Sequence, residues 1–263
     1  MTTHTFLTIE PDYQGRVAIV TLRRPRVHNA FNAQMIAELT DAFRELSMDE
    51  SLHAIVLAGE GLSFCAGADV TWMQESIAFT AEQNREDAQH LATLLQTLQD
   101  CPCPIVARVH GSALGGGVGL LAVCDLVIAA EQARFALSEV KLGLAPAVIS
   151  PFVIRKIGES HARVLFITGE RFSAARALSL GLVHAVVPLE QLDDAIQNAL
   201  HELLTSAPQA LRVCKQLALR VGHMNADQAL AYTTETIARL RVGAEGQEGL
   251  HAFLEKRQPD WVR

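Results

Sequence analysis

The stretch 109–125 constrains this chain more than any other: an apolar strand, a turn rich in glycine, then the start of a helix. Glycine at such a turn lets backbone approach backbone, and a helix start leaves N–H groups without partners inside the helix. Those orphan donors, with the helix dipole behind them, suit an oxygen that gains negative charge during a reaction. Close packing of helix on strand is the competing reading. Gly115-Gly116-Gly117-Val118-Gly119 lacks the G-x-G-x-x-G spacing of a dinucleotide fingerprint, and no Gly-Lys-Ser/Thr follows to make a phosphate loop. The uncharged run between His110 and Asp125 is shorter than the roughly 18 residues that a membrane span needs.

Around this turn the pattern is α/β. Runs at 17–22, 54–58, 105–109 and 126–129 read as strands bounded by Gly, Pro or charge. Phe31, Met35, Ile36, Leu39, Phe43 and Leu46 recur at helical spacing behind Asn32, a capping residue. A second helix runs over about 81–98 and stops at Cys101-Pro102-Cys103-Pro104. After about residue 189 strands vanish, and helices around 193–205, 208–221 and 226–241 precede a charged tail at 253–257. We therefore divide the chain into an α/β core, 1–190, and a helical region, 191–263, of the kind that packs on a core or on another subunit.

The formal charge of −7 argues against nucleic acid as a partner, which needs a basic face, so an anionic ligand must meet a local basic cluster. The five cysteines form no C-x-x-C pair and the ten histidines no H-E-x-x-H pattern; reduced, mostly buried thiols and no metal are expected. The first ten residues carry no basic-then-apolar leader, which makes the cytoplasm the simplest location and gives no membrane anchor.

Five motifs then occur in order: Phe64-Cys65-Ala66-Gly67-Ala68-Asp69-Val70, His110-Gly111-Ser112-Ala113-Leu114-Gly115-Gly116-Gly117, Cys124-Asp125, the run 135–143 with Ser138-Glu139, and Thr168-Gly169-Glu170-Arg171-Phe172-Ser173-Ala174. Together they resemble the crotonase superfamily of enoyl-CoA hydratases and isomerases, over a span from Arg24-Pro25-Arg26 to Phe253-Leu254-Glu255-Lys256-Arg257. The resemblance implies a spiral of strand-strand-helix turns, a C-terminal helical region that makes trimers or dimers of trimers, and an acyl-CoA thioester as substrate. No separate cofactor is implied, because coenzyme A is part of the substrate.

By motif position the thioester oxygen would lie between the N–H groups of Ala68 and Gly116, with Ala66, Gly67 and Gly115 shaping the backbone there. Arg24 and Arg26 would flank the nucleotide, Val70 would touch the adenine through its backbone, and Phe253 and Lys256 would reach the coenzyme, Lys256 from a neighbouring subunit if one is present. Asp69 would hold the loop that aims Ala68. Hydratases of this family usually carry two glutamates; here the first position is Gly119 and the second is Glu139. Burial against Leu137 and Leu142 is expected to raise the pKa of Glu139.

The runs Gly115–Leu120 and Leu137–Pro151 most resemble the branch that hydrates 3-methylglutaconyl-CoA or isohexenylglutaconyl-CoA, in leucine and acyclic-terpene breakdown. Lys141, Arg85, His90, Trp72 and Gln74 are candidates to meet the distal carboxylate of such a substrate. Water addition is the favoured reaction. A Δ3-Δ2-enoyl-CoA isomerase, which needs one base, is the alternative. A serine hydrolase lacks its G-x-S-x-G elbow, and a non-catalytic acyl-CoA-binding scaffold is made conceivable by Gly119.

Overall fold

The computed structural model describes residues 4–262; residues 1–3, the start of the stretch read for a leader, and residue 263 lie outside them. The chain opens with an antiparallel pair, β1 (Leu7–Asp12) and β2 (Val17–Leu22), in which Leu7 faces Leu22. β1 was not foreseen, because Leu7 alone is buried in it and the alternation that marks a strand is absent. Helix α1 (Ala33–Ser47) follows, and its Asn32 cap accepts from Met35 N as expected.

Three turns of one pattern come next. In the first, β3 (Ala54–Gly59) leads to a short extended segment at Cys65 and then to α2 (Val70–Ser76) and α3 (Ala81–Asp100). In the second, β4 (Ile105–Val109) leads to β5 (Ser112–Leu114) and α4 (Gly116–Val123). In the third, β6 (Leu126–Ala130) leads to β7 (Arg134–Ala136), a 3₁₀ turn at Glu139–Leu142, α5 (Ser150–Ile157) and α6 (Glu159–Thr168). The chain closes with β8 (Arg171–Ser173), α7 (Ala174–Ser179), β9 (Ala185–Val187), α8 (Leu192–Leu204), α9 (Pro208–Arg220), α10 (Ala226–Val242) and α11 (Ala244–Glu255). Where the last helix runs, the sequence marks only a charged tail at 253–257.

The first strands of the turns build a sheet in the order β1-β2-β3-β4-β6-β9, parallel from β2 onward. The second strands build a separate layer in which Cys65 bridges Ala113 and β5 pairs in parallel with β7, itself antiparallel to β8. Both faces of the large sheet are covered, which is why every residue of β3 is buried. One face packs on α1, α3 and α4. The other receives Leu192, Ile196, Leu200 and Leu204 of α8, against Val17, Val56, Val106 and Ile128. Residues 192–204 thus share their packing with the strands of the α/β core. Among the described residues no helix is long and apolar enough to cross a membrane.

Candidate active site

Each turn of the spiral ends its second strand at the same level, so three loops from distant parts of the sequence meet side by side. The register that sets them is a ladder: Cys65 N donates to Ser112 O, Leu114 N to Cys65 O, and Gly115 N to Ala136 O. The loops are 66–68, 115–117 and 138–139.

At the first loop Phe31 N donates to Gly67 O and Asp69 N donates to Phe31 O. In a planar trans peptide the N–H points opposite to the C=O, here that of Gly67. Ala68 N–H is therefore directed away from Phe31, and among the described residues it donates to no backbone carbonyl. Gly67 makes this possible: its φ is +87°, and a Cβ on it would lie 2.8 Å from Leu114 O and 3.6 Å from Gly116 N. Those distances also show how closely the first two loops approach.

At the second loop Gly115 bends the chain with φ 49° and ψ −116°, a conformation closed to residues with a Cβ, and α4 begins at Gly116. Gly116 N–H, at the first helical position, has no partner within the helix. Side chains are excluded here for packing reasons as well: a Cβ on Gly116 would meet Phe31 Cε2 at 2.7 Å, and one on Gly117 would meet Cys65 O at 2.4 Å. The packing and the donor readings of this turn hold together.

At the third loop Glu139 opens the 3₁₀ turn, which ends at Gly143 in the left-handed region. Its Oε1 lies 3.1 Å from where a Cβ on Gly115 would stand, so the carboxylate rests against the bend that precedes Gly116. Its Oε2 is buried with no hydrogen-bond partner among the described residues. Burial pushes the carboxyl above its ordinary value, and its own backbone N–H offsets this only in part. Leu137 is buried as expected, whereas Leu142 is mostly exposed and contributes an edge to the cavity wall.

These loops line a cavity of about 370 Å3. Phe31, Trp72, Met73, Leu91, Leu144, Pro146, Val148 and Ile149 complete its apolar wall. Among the described lining residues Glu139 is the one that ionises. Burial raises the carboxyl of Asp87 on α3 above its ordinary range, with Trp72 beside it offsetting this only in part. The apolar run 144–149 belongs to the stretch 137–151 that carries the resemblance to a branch of the family, but nothing local marked its residues as a wall of the site. A larger open groove between α1, α3 and α5, about 850 Å3, shares Val148 with this wall.

The structure brings together Ala66, Gly67, Ala68, Gly115, Gly116 and Glu139. It does not bring Arg24, Arg26, Val70, Phe253 or Lys256 to the cavity wall. Arg24 is turned inward, where it donates to Ala30 O and to Asp69 Oδ2 at 2.7 Å and stacks over Phe6. A guanidinium with these partners holds the chain directly after Ala68. Asp69 also caps α2 by accepting from Thr71 N. Arg26, Val70, Phe253 and Lys256 are exposed.

Of the five candidates for a distal carboxylate, Trp72 alone lines the cavity. The Lys141 chain lies against Gly169, Arg85 pairs with Glu82, His90 faces a separate groove and Gln74 is exposed. Position 119 lies one turn into α4, buried, with Ile149 opposite it.

A family model described as enoyl-CoA hydratase/isomerase matches residues 12–263. Enoyl-CoA hydratase AKT6-1 of Alternaria alternata is 37% identical over 252 residues, covering 93% of this chain and 80% of its own. A crystal structure of an enoyl-CoA hydratase from Shewanella pealeana is 41% identical with a TM-score of 0.93, covering 98% of this chain and 96% of that one. Pseudomonas aeruginosa AtuE is 38% identical with a TM-score of 0.95, covering 98% of this chain and 100% of that one.

Proposed function

This chain belongs to the enoyl-CoA hydratase/isomerase family, and we propose that it adds water across the α,β double bond of an acyl-CoA thioester with one carboxylate, Glu139. Ala68 and Gly116 N–H hold the thioester oxygen as it becomes an enolate. The observation that carries this reading is the position of the Glu139 carboxylate against Gly115, in an apolar cavity whose wall also contains Ala68 and Gly116.

Glu139 takes one proton from water as the water oxygen bonds to Cβ. The π pair moves toward the thioester, and two fixed donors stabilise the charge; removing one such donor typically costs about 10²–10³ in rate. Protonated Glu139 then returns its proton to Cα. Because one carboxylate serves both steps, hydroxyl and hydrogen enter on the same face. A carboxyl held above its usual pKa by burial is suited to give the proton back.

The finer reading is a 3-methylglutaconyl-like acyl group, supported by the runs 115–120 and 137–151. No Arg, Lys or His stands among the described lining residues, which leaves Trp72 as the candidate donor to a distal carboxylate. Isomerisation is the second reading, favoured by the lack of a second carboxylate among those same residues. The C-terminal helices we propose as a trimer interface, with exposed Arg26 and Lys256 as coenzyme contacts, in a cytoplasmic enzyme that uses no further cofactor.

One assay decides among these. The enzyme is incubated in D₂O with crotonyl-CoA, 3-methylcrotonyl-CoA, 3-methylglutaconyl-CoA and a 3-enoyl-CoA. The expected outcome is loss of the conjugated thioester absorbance with 2-enoyl substrates, fastest with 3-methylglutaconyl-CoA, and deuterium at Cα syn to the new hydroxyl. Faster turnover of an uncharged thioester replaces the finer reading. Gain of conjugation from the 3-enoyl-CoA alone replaces hydration by isomerisation.

A further inference from the structure

The helix that supplies Gly116 carries another glycine one turn on, about 4.5 Å along its axis. At that position a Cβ on Gly119 would stand 2.6 Å from Ile149 Cγ2 and 3.2 Å from Ile149 Cβ, with Leu95 Cδ1 at 3.7 Å on another side. The clash reaches the branch point of Ile149 as well as its methyl. A β-branched side chain has little rotamer freedom with which to withdraw. Ile149 is also fully packed: it is 3% exposed and precedes the first turn of α5, where its carbonyl accepts from Phe152 N and Val153 N. Its side chain nevertheless forms part of the cavity wall that contains Glu139 and Gly116.

We propose that Ile149 is the specificity-determining residue of this site: it fills the volume that a side chain at position 119 would need, closing the site to a second ionisable group and shaping the space beside the carbons that follow the thioester carbonyl. This rests on the reading of the cavity as the acyl site. Gly119 and Ile149 are an interlocked pair, in which the missing side chain of one is occupied by the other. The acyl group therefore meets branched hydrocarbon on this side, and proton transfer is left to Glu139.

The pair is tested first by stability, which needs no turnover. Alanine favours a helix interior over glycine, so Gly119→Ala should raise Tm wherever space allows. In the otherwise unchanged chain the expected result is the opposite, a fall of about 2–10 °C from overpacking. In the Ile149→Ala background the same change is expected to be neutral or to raise Tm. The second measurement is calorimetric binding of butanoyl-CoA and 3-methylbutanoyl-CoA, saturated thioesters that cannot be hydrated. Ile149→Ala should shift their affinity ratio toward the branched ligand by about tenfold or more, the scale set by one methyl group in an apolar pocket.

If Ile149→Ala is too unstable to purify, Ile149→Leu, which moves the branch off Cβ, serves the stability comparison. An equal effect of Gly119→Ala in both backgrounds, or an unchanged affinity ratio, overturns the proposal. Failure of the hydration reading would show only in the turnover assay, so the two outcomes are separable.

Discussion

Glu139 concentrates the chemistry and the instability of this molecule in one side chain. A carboxyl whose folded pKa lies above its ordinary value of 4.5 binds its proton more tightly in the folded state than in the unfolded chain. The folded state is therefore favoured at pH below the unfolded value and loses stability as pH rises through the folded pKa. Glu139→Gln should raise Tm at pH 7–8, and the gain should vanish near pH 4, as thermal melts across that range will show. The same variant should lower kcat by about 10²–10⁴, the usual contribution of a general acid–base. Near wild-type turnover would remove Glu139 from the reaction. The residue was legible from Ser138-Glu139 within its motif, but its surroundings were only half legible: Leu137 is buried, whereas Leu142 turns to solvent.

At the scale of elements the site depends on loops held from behind. The Arg24–Asp69 pair, 2.7 Å apart with both side chains nearly buried, anchors the start of α2 directly after Ala68. Burial pushes the Asp69 carboxyl up, but the Arg24 hydrogen bond and the Thr71 N–H outweigh it and hold it below the usual range. Such a group stabilises the fold above its unfolded pKa and loses that contribution as pH falls through the folded one. Asp69→Ala leaves a buried guanidinium without its partner and should cost about 3–5 kcal/mol in chemical denaturation, with reduced turnover from a misplaced Ala68 donor. Stability within 1 kcal/mol of wild type would show the pair to be dispensable. Arg24 and Arg26 look alike in the sequence. Which one is buried depends on an aspartate 45 positions away, a fact that no local pattern carries.

The whole molecule couples the helical C-terminal part to the sheet through buried charge. Lys215 of α9 donates to Asp125 Oδ2 at 2.7 Å and to Cys103 O at 3.2 Å, while Asp125 also accepts from Ile105 N. The cap of the large sheet, the end of α4 and the C-terminal helices are thereby tied at one point. Beyond that tie, α10 and α11 expose Leu230, Ile237, Val242, Leu250, Phe253 and Leu254. Sedimentation at micromolar concentration should give a particle of three times 28.6 kDa or a multiple of it. A mass of one chain would return α10 and α11 to the role of a cap on their own core.

The sequence by itself determined the strands near 17–22, 54–58, 105–109 and 126–129, the longer helices and the Asn32 cap, because hydrophobic period and capping chemistry are local and survive in any context. It also determined the glycine positions at which backbone must approach backbone. Only the tertiary structure decided that the loops at 66–68, 115–117 and 138–139 stand side by side, that Ile149 occupies the space at Gly119, and that Arg24 faces inward. The reason is physical: these contacts join residues tens of positions apart through the register of a second layer of very short strands, β5, β7 and β8, of three residues each. Strands so short have too little pattern of their own to announce which neighbours they will take.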